Sequence, residues 1–536
     1  MIENLWKKVQ SASFIGIPLL ILYFIIRTFS QFEYFCLTAD QCSFLSVART
    51  FPFHKLYNNE LFLIHPPLYG FVVGILSYIM PLFDAGLAVS ILFGILNFLL
   101  LRKMTKMFSL NAAGTMVALL YLTLNVTSIS MESQVSRISI LVFFMGMAIC
   151  SFHEYILTRE RKFLYRTCLF NALSLLCSDQ ALLLLLAQAI QFLMYADLQR
   201  MWKEFAKIMA VSILAYSIWP LIRIYIYLTN SDYPAGIDGT IEFFSGFNLL
   251  EVLQPNNLPM TKYYRSFYTS TSFSISSLNL DKSLLVPATL VFIPRGMALF
   301  IIGILMLSAV TLGILKKDKS VLLLALLSVI LLMPCIFGMY FWYGLPFIVP
   351  FSLLLGKAVH FLTERFNLNS RVMLASEIAI VVLLSGSWLS SYNPAKVNTV
   401  FRPAGGKNFL FTRKPVARGQ STIKNLPEGK DICFIAPIGL VNESIYLSGR
   451  KFIALPYYYE LLDVIIRRYD VKYVWFSSEQ LLRFTDEKGN FISGRDVIRK
   501  IISNPEKFEK VGEWLDPYPD CYQPETFFLY RVKSEQ

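Results

Sequence analysis

Two stretches of this 536-residue chain put reactive side chains into otherwise apolar surroundings. In "LTADQCSFLSVART", residues 37–50, Asp40 is the lone acid, and Phe44, Leu45, Val47 and Ala48 follow it with the spacing of a short helix lying on a membrane surface. Some 25 residues on, "IHPPLYG" sets His65 before two prolines that fix the backbone. A carboxylate can take a proton from a hydroxyl, and an imidazole can contact a phosphate. The plainer alternatives are that Asp40 caps a helix and that His65 is an interfacial aromatic.

Other polar residues stand at the ends of apolar runs. "SMESQVSRISILVFF", residues 130–144, carries Glu132 and Arg137, and "CSDQ" places Asp179 in a turn between two short apolar segments. Glu132 reads as a helix cap, and Asp179 as an N-cap or a cavity-lining acid. Arg137, Arg223 and Arg295 read singly as snorkelling interfacial residues, and together as a set able to hold a phosphodiester. Tyr340, Trp342 and Tyr343 are most simply an aromatic belt. Asp40, Glu132 and Asp179 are far apart in sequence and no His or Cys set joins them, so no cofactor and no metal ligand set is read, although a divalent metal stays open. The part after residue 391 shows no phosphate loop, metal cluster or nucleophile elbow, and the eight cysteines show no CxxC pair.

The elements that must position these residues are membrane helices. With 55% hydrophobic and 16% charged residues, the chain is too apolar for a soluble globular protein. Apolar runs near residues 11–31, 85–101, 110–128, 136–157, 167–177, 181–196, 208–228, 289–315, 320–338, 341–362 and 373–391 predict about eleven transmembrane helices, of which 167–177 is short for a full crossing. Residues 66–83, bounded by Pro66, Pro67 and Pro81, read as an interfacial or re-entrant helix. If Lys7 and Lys8 are cytoplasmic, five further basic clusters fall on the same side, which accounts for much of the net charge of +13 without invoking nucleic acid. Residues 32–84, Glu132, Asp179, the long loop 229–288 and everything after 391 then lie outside.

The expected fold is therefore mainly α: a polytopic membrane domain over 1–391 with interfacial helices, and a small extracytoplasmic α/β domain over 392–536. In the latter "KDICFIAP", "VKYVWFSS" and "FFLYRVK" read as strands and "YYYELLDVIIRRYD" as an amphipathic helix. The loop 229–288 reads as a lid or a spacer.

The order of one helix, then "ADQCSFLSVARTF", then "HPPLYGFVVGILSYIMPLF", then a helix ending in "LLRKM" resembles the polytopic C-superfamily glycosyltransferases, most closely the protein O-mannosyltransferase and lipid A aminoarabinose transferase branch. The resemblance implies transfer of a sugar from a polyprenyl phosphate carrier to a protein, lipid or glycan acceptor on the extracytoplasmic face, with inversion at the anomeric carbon. It implies Asp40 as catalytic base, His65 near the carrier phosphate and Glu132 as a candidate for binding acceptor or sugar hydroxyls; Arg137, Arg223, Arg295 and Asp179 are the further substrate-binding candidates that their own chemistry and position suggest. Gln41 departs from the pattern, since relatives carry Glu after the first acid. Rival readings are a transporter or lipid flippase, for which internal repeats and mid-depth charges are the expected sign, and a non-catalytic scaffold for the C-terminal domain.

Overall fold

The computed structural model describes residues 12–31, 39–53, 55–57, 60–61, 65–196, 198–229, 295–336 and 345–365, and in the C-terminal part 423–426, 432–436, 444–445, 448–455, 462–463, 466–467, 470–477, 495–515 and 526–533. The expected span 373–391, nearly all of the long loop and the aromatic belt lie outside these residues. The chain divides into two compact units. One comprises Met1–Glu33, Leu63–Tyr69 and Gly86–Gly405; the other comprises Tyr34–Phe62, Gly70–Ala85 and Gly406–Gln536.

The first unit is helical. Its elements are α1 (Ala12–Gln31), α4 (Leu82–Met107, which starts in the second unit), α5 (Ala112–Leu124), α6 (Val126–Glu132), α7 (Ile138–Thr158), α8 (Arg161–Leu175), α9 (Leu182–Tyr195), α10 (Leu198–Thr229), α11 (Arg295–Leu315), α12 (Lys319–Ile336) and α13 (Leu345–Arg365). Among the described residues, four helices are long and apolar enough to cross a membrane: Leu82–Met107, Ile138–Thr158, Met201–Ile222 and Leu345–Glu364. The described stretches of the others are shorter, so the full count of eleven rests on the sequence pattern. The core sits around α13, whose apolar window is 83% buried against 22% for that of α10. It packs on α5, α11 and α12. Where α5 and α13 cross, a Cβ on Gly114 would collide with the carbonyl of Gly356, and one on Gly356 with the Gly114 carbonyl. The two backbones thus touch through paired glycines, as small residues permit between membrane helices.

Local chemistry sets the helix ends. Ser109 takes a left-handed conformation after α4, and Asn111 caps α5 by accepting the Gly114 N–H at 2.9 Å. The run expected as one span at 110–128 is two helices, because Asn125 is extended (φ −67°, ψ 124°) and its side chain caps α6 by accepting the Ser128 N–H at 3.0 Å. The short segment near 167–177 starts earlier, at Arg161, and is followed by a 3-10 turn over Asp179–Ala181 before α9. A buried amide pair stitches α8 to α9, with Asn171 and Gln188 exchanging hydrogen bonds of 2.8 and 2.9 Å, and Asn171 also donates to Ser212 of α10 at 2.8 Å. In a lipid-facing bundle such amides hold only when each is partnered.

The second unit contains the loop helices and the sheet. Helix α2 (Ala39–Arg49) buries Gln41 through Ala48, so it is enclosed rather than half-exposed on a surface. Helix α3 (Leu68–Leu76) covers only part of the helix expected over 66–83, because a turn intervenes before Pro81. Gly74 of α3 has room only for hydrogen beside Phe51 and the Ala48 carbonyl, and the Phe51 ring meets Phe71 edge-on at 5.6 Å. The two loop helices therefore seat on each other. A two-residue link pairs β1 (Lys55–Tyr57) with β2 (Glu60–Leu61) antiparallel.

The C-terminal sheet has the order β4-β3-β5-β7-β6, with β3 (Cys433–Ala436), β4 (Lys451–Ala454), β5 (Val471–Ser477), β6 (Phe508–Leu515) and β7 (Thr526–Val532). The first three strands run parallel, and β5-β7-β6 antiparallel. Phe434, Phe452, Tyr473, Trp475 and Phe527 stack across one face as its core. The three expected strands match β3, β5 and β7; the edge strands β4 and β6 and helix α14 (Arg495–Ile502) were not expected. Of the expected helix over 457–470, residues 462–463, 466–467 and 470 are described; the first four are helical and Asp470 stands in a turn.

Candidate active site

The site residues begin with the backbone that carries them. Asp40 is the second residue of α2, as the apolar spacing predicts, but its side chain lies outside the described residues, as do those of Arg223 and Arg295. Gln41, beside it, is buried.

His65 is partly exposed, and Pro66 behind it is buried. Proline offers no N–H, so the first backbone donor after the pair is Leu68, whose N–H reaches the Leu176 carbonyl at 3.0 Å. The "HPPL" segment is thereby tied to the turn that follows α8. Tyr69 is buried, and its hydroxyl donates to the Gly86 carbonyl at 3.4 Å, near Ser90.

That turn carries another candidate, Asp179. Ser178, not Asp179, caps it by accepting the Gln180 N–H at 3.4 Å. Asp179 is left partly exposed and accepts the Tyr216 hydroxyl of α10 at 3.2 Å. Arg137 sits at the N-cap position of α7 with no capping bond from its side chain; it is buried, and its charge reaches the Cys177 thiol. The preceding link is fixed from α4, where Ser90 accepts the Ser136 N–H at 3.1 Å. The structure thus ties the backbone after His65 to the Leu176 carbonyl and places Asp179 in the turn that follows, while Arg137 heads α7. A guanidinium and an imidazole suit a phosphate, and a carboxylate suits a hydroxyl. Tyr216 is the member that sequence reading missed, since nothing marks it among the apolar residues of α10.

Glu132 goes elsewhere. It is buried, and its Oε2 accepts from Arg27 Nε at 3.0 Å, from Ser128 Oγ at 2.8 Å and from the Tyr23 hydroxyl. Arg27 is fully buried in α1; its guanidinium also donates to Ser128 Oγ at 2.9 Å and to the carbonyls of Leu122, at 3.1 Å, and Thr123. Tyr23 lies 3.8 Å from the guanidinium carbon, face on. The acid read as a cap or a hydroxyl ligand is here the counter-charge of a buried arginine. Arg27 stands in the run "YFIIRTF", where a lone charge demands a partner, and this was the signal available. Among the described residues, no three His, Cys, Asp or Glu side chains converge so as to hold a metal ion.

No family model matches the chain, and no curated protein matches it. Solved structures do. The oligosaccharyltransferase AglB from Archaeoglobus fulgidus, in complex with an inhibitory peptide and a dolichol-phosphate, superposes with a TM-score of 0.59 at 10% identity over 91% of this chain and 75% of that one. Another structure of the A. fulgidus enzyme, tethered with an acceptor peptide, gives 0.57 at 10% identity over 90% and 74%. ArnT from Cupriavidus metallidurans bound to undecaprenyl phosphate gives 0.54 at 12% identity over 97% of this chain and 98% of that one. In fold, the protein is similar to AglB and to ArnT.

Proposed function

We propose that this membrane protein is a glycosyltransferase that moves a sugar from a polyprenyl phosphate to an acceptor on the extracytoplasmic face. What supports the reading is a fold similar, along nearly the whole of both chains, to that of an enzyme solved with undecaprenyl phosphate, together with the tie from the segment after His65 to the Leu176 carbonyl beside the turn that carries Asp179. The cytoplasmic N-terminus and outer C-terminal domain belong to this proposal, on the strength of the basic loops.

The chemistry is a single displacement. Asp40 takes the proton of an acceptor hydroxyl, the oxygen forms a bond to the anomeric carbon, and the bond from that carbon to the phosphate oxygen breaks, so that polyprenyl phosphate leaves and the configuration inverts. His65 and Arg137, with Arg223 and Arg295, hold the charge that grows on the phosphate. Asp179, oriented by Tyr216, contacts sugar or acceptor hydroxyls. Glu132, engaged by three donors, serves the scaffold.

The test is transfer or hydrolysis of a radiolabelled polyprenyl-phosphate sugar by the purified protein in lipid nanodiscs. The wild type releases or transfers label and Asp40→Asn does not, while still binding undecaprenyl phosphate. Equal turnover by the two removes Asp40 as base. Movement of intact carrier between leaflets without release of sugar supports a flippase instead.

A further inference from the structure

The helix break at Asn125 lies inside an apolar run, where freed backbone groups find no water. An extended residue interrupts the helical ladder and leaves carbonyls of the last turn of α5 without their usual donors. Arg27 supplies them from α1, bonding the carbonyls of Leu122 and Thr123 on one side of the break and Ser128 and Glu132 on the other. One rigid fork thus spans both halves, which a point charge such as lysine cannot do. Tyr23 closes the network on Glu132, and Gly94 of α4 leaves the space it occupies, since a Cβ there would stand 3.0 Å from Tyr23 Oη and 3.2 Å from Glu132 Cδ.

What the network holds is α6 and the five-residue link beyond it. Ser133 ends α6 by donating its N–H to the Ile129 carbonyl at 3.0 Å, Ser136 is pinned to Ser90, and Arg137 follows at once. The link that carries Arg137 is therefore held at both ends: at the far end by Arg27 and Glu132, at the near end by Ser90.

We infer that the Arg27–Glu132–Tyr23 network is a positioning device for the substrate site, fixing the broken helix so that Arg137 meets the carrier phosphate. The inference rests on the reading of Arg137 as a phosphate contact. Tyr23, Arg27 and Glu132 touch no substrate in this scheme; they act through Arg137.

The test measures the Kd of undecaprenyl phosphate for the full chain in nanodiscs by tryptophan fluorescence, for Tyr23→Phe, Arg27→Lys, Arg137→Gln and the double variant Arg27→Lys/Arg137→Gln. Tyr23→Phe removes one oxygen without changing the packing volume, so it folds even where Arg27→Lys does not. Arg27→Lys is expected to weaken binding about tenfold, the scale of one misplaced charge-assisted contact, and Tyr23→Phe about threefold. The double variant is expected to bind no more weakly than Arg137→Gln alone, which a general loss of stability would not produce. If Arg137→Gln binds as the wild type does, the reading of the site falls. If Arg137→Gln weakens binding while Tyr23→Phe and the folded Arg27→Lys do not, the positioning role falls and the reading stands.

Discussion

Gly94→Ala sets two known effects against each other at a place where the geometry decides between them. Replacing a helical glycine by alanine ordinarily stabilises by about 0.5–1 kcal/mol, because alanine loses less backbone entropy on folding. Here the new methyl would stand 3.0 Å from Tyr23 Oη and 3.2 Å from Glu132 Cδ, closer than carbon tolerates without movement. Tyr23 is buried against Phe98 at 5.3 Å and bonded to Glu132, and Glu132 is bound to Arg27, so none of them has space to retreat. Overpacking of a core costs about 1–3 kcal/mol, so the net expectation is a loss of about 1–2 kcal/mol. Tyr23→Phe should cost about 1.5–3 kcal/mol through its bond to a carboxylate. Because the phenylalanine also removes the nearest atom that the methyl would strike, the two changes together should cost about 1 kcal/mol less than their sum. The assay is reversible unfolding in mixed detergent and sodium dodecyl sulfate micelles, on the wild type, both single variants and the double. A stabilising Gly94→Ala, or strict additivity of the pair, would refute the close approach of α4 to the network.

Other perturbations test separate parts of the fold. Gln188→Leu strips the buried Asn171 amide of its reciprocal partner and should destabilise the α8–α9 pair by about 1–3 kcal/mol in the same assay; a neutral result would mean that the amide finds water. Gly356→Ala should force α13 away from Gly114 and cost about 2–3 kcal/mol, with loss of monodispersity on size-exclusion chromatography as the simplest readout. Asp318 links α11 to α12: burial pushes its carboxyl up, but Ser320 and the Lys357 ammonium at 2.9 Å outweigh this and hold it below its usual range. A depressed folded value means that the pair stabilises fully above the unfolded value near about pH 4 and that this contribution is lost as pH falls through the folded one. The thermal midpoint of the wild type should therefore fall more between neutral and acid pH than that of Lys357→Met; parallel curves would show that the pair is not coupled to folding.

The long spans were legible because a membrane helix is written in length and composition: the runs at 85–101, 136–157, 208–228 and 341–362 correspond to α4, α7, α10 and α13. Asp40 was placed correctly near the start of α2 because apolar spacing reports a helix directly. What the sequence hid was pairing between distant segments. "LNVTSIS" inside an apolar run contains an asparagine cap, but the break it makes is tolerable only because Arg27, some hundred residues away in sequence, takes the freed carbonyls. Without that partner the economical reading is one continuous span. For the same reason Glu132 looked available for substrate: its burial depends on α1 and α4, which no local pattern reports. The strands β4 and β6 were missed because "KFIA" is only four residues long and Gly512 and paired charges break the alternation of "FEKVGEWL".

The glycine seam between α5 and α13 bears on when this bundle can form during synthesis. The N-terminal end of α5 is tied to α13 by Asn111, whose side chain donates to Thr363 at 2.8 Å across 252 residues of chain and whose N–H donates to His360 at 3.3 Å. Until residue 365 has left the ribosome and entered the bilayer, α5 has neither its backbone neighbour nor these polar ties. An early helix must therefore wait, inserted but unlocked, for one of the last, and an interruption of translation before residue 345 should leave every earlier span in the membrane around a missing centre.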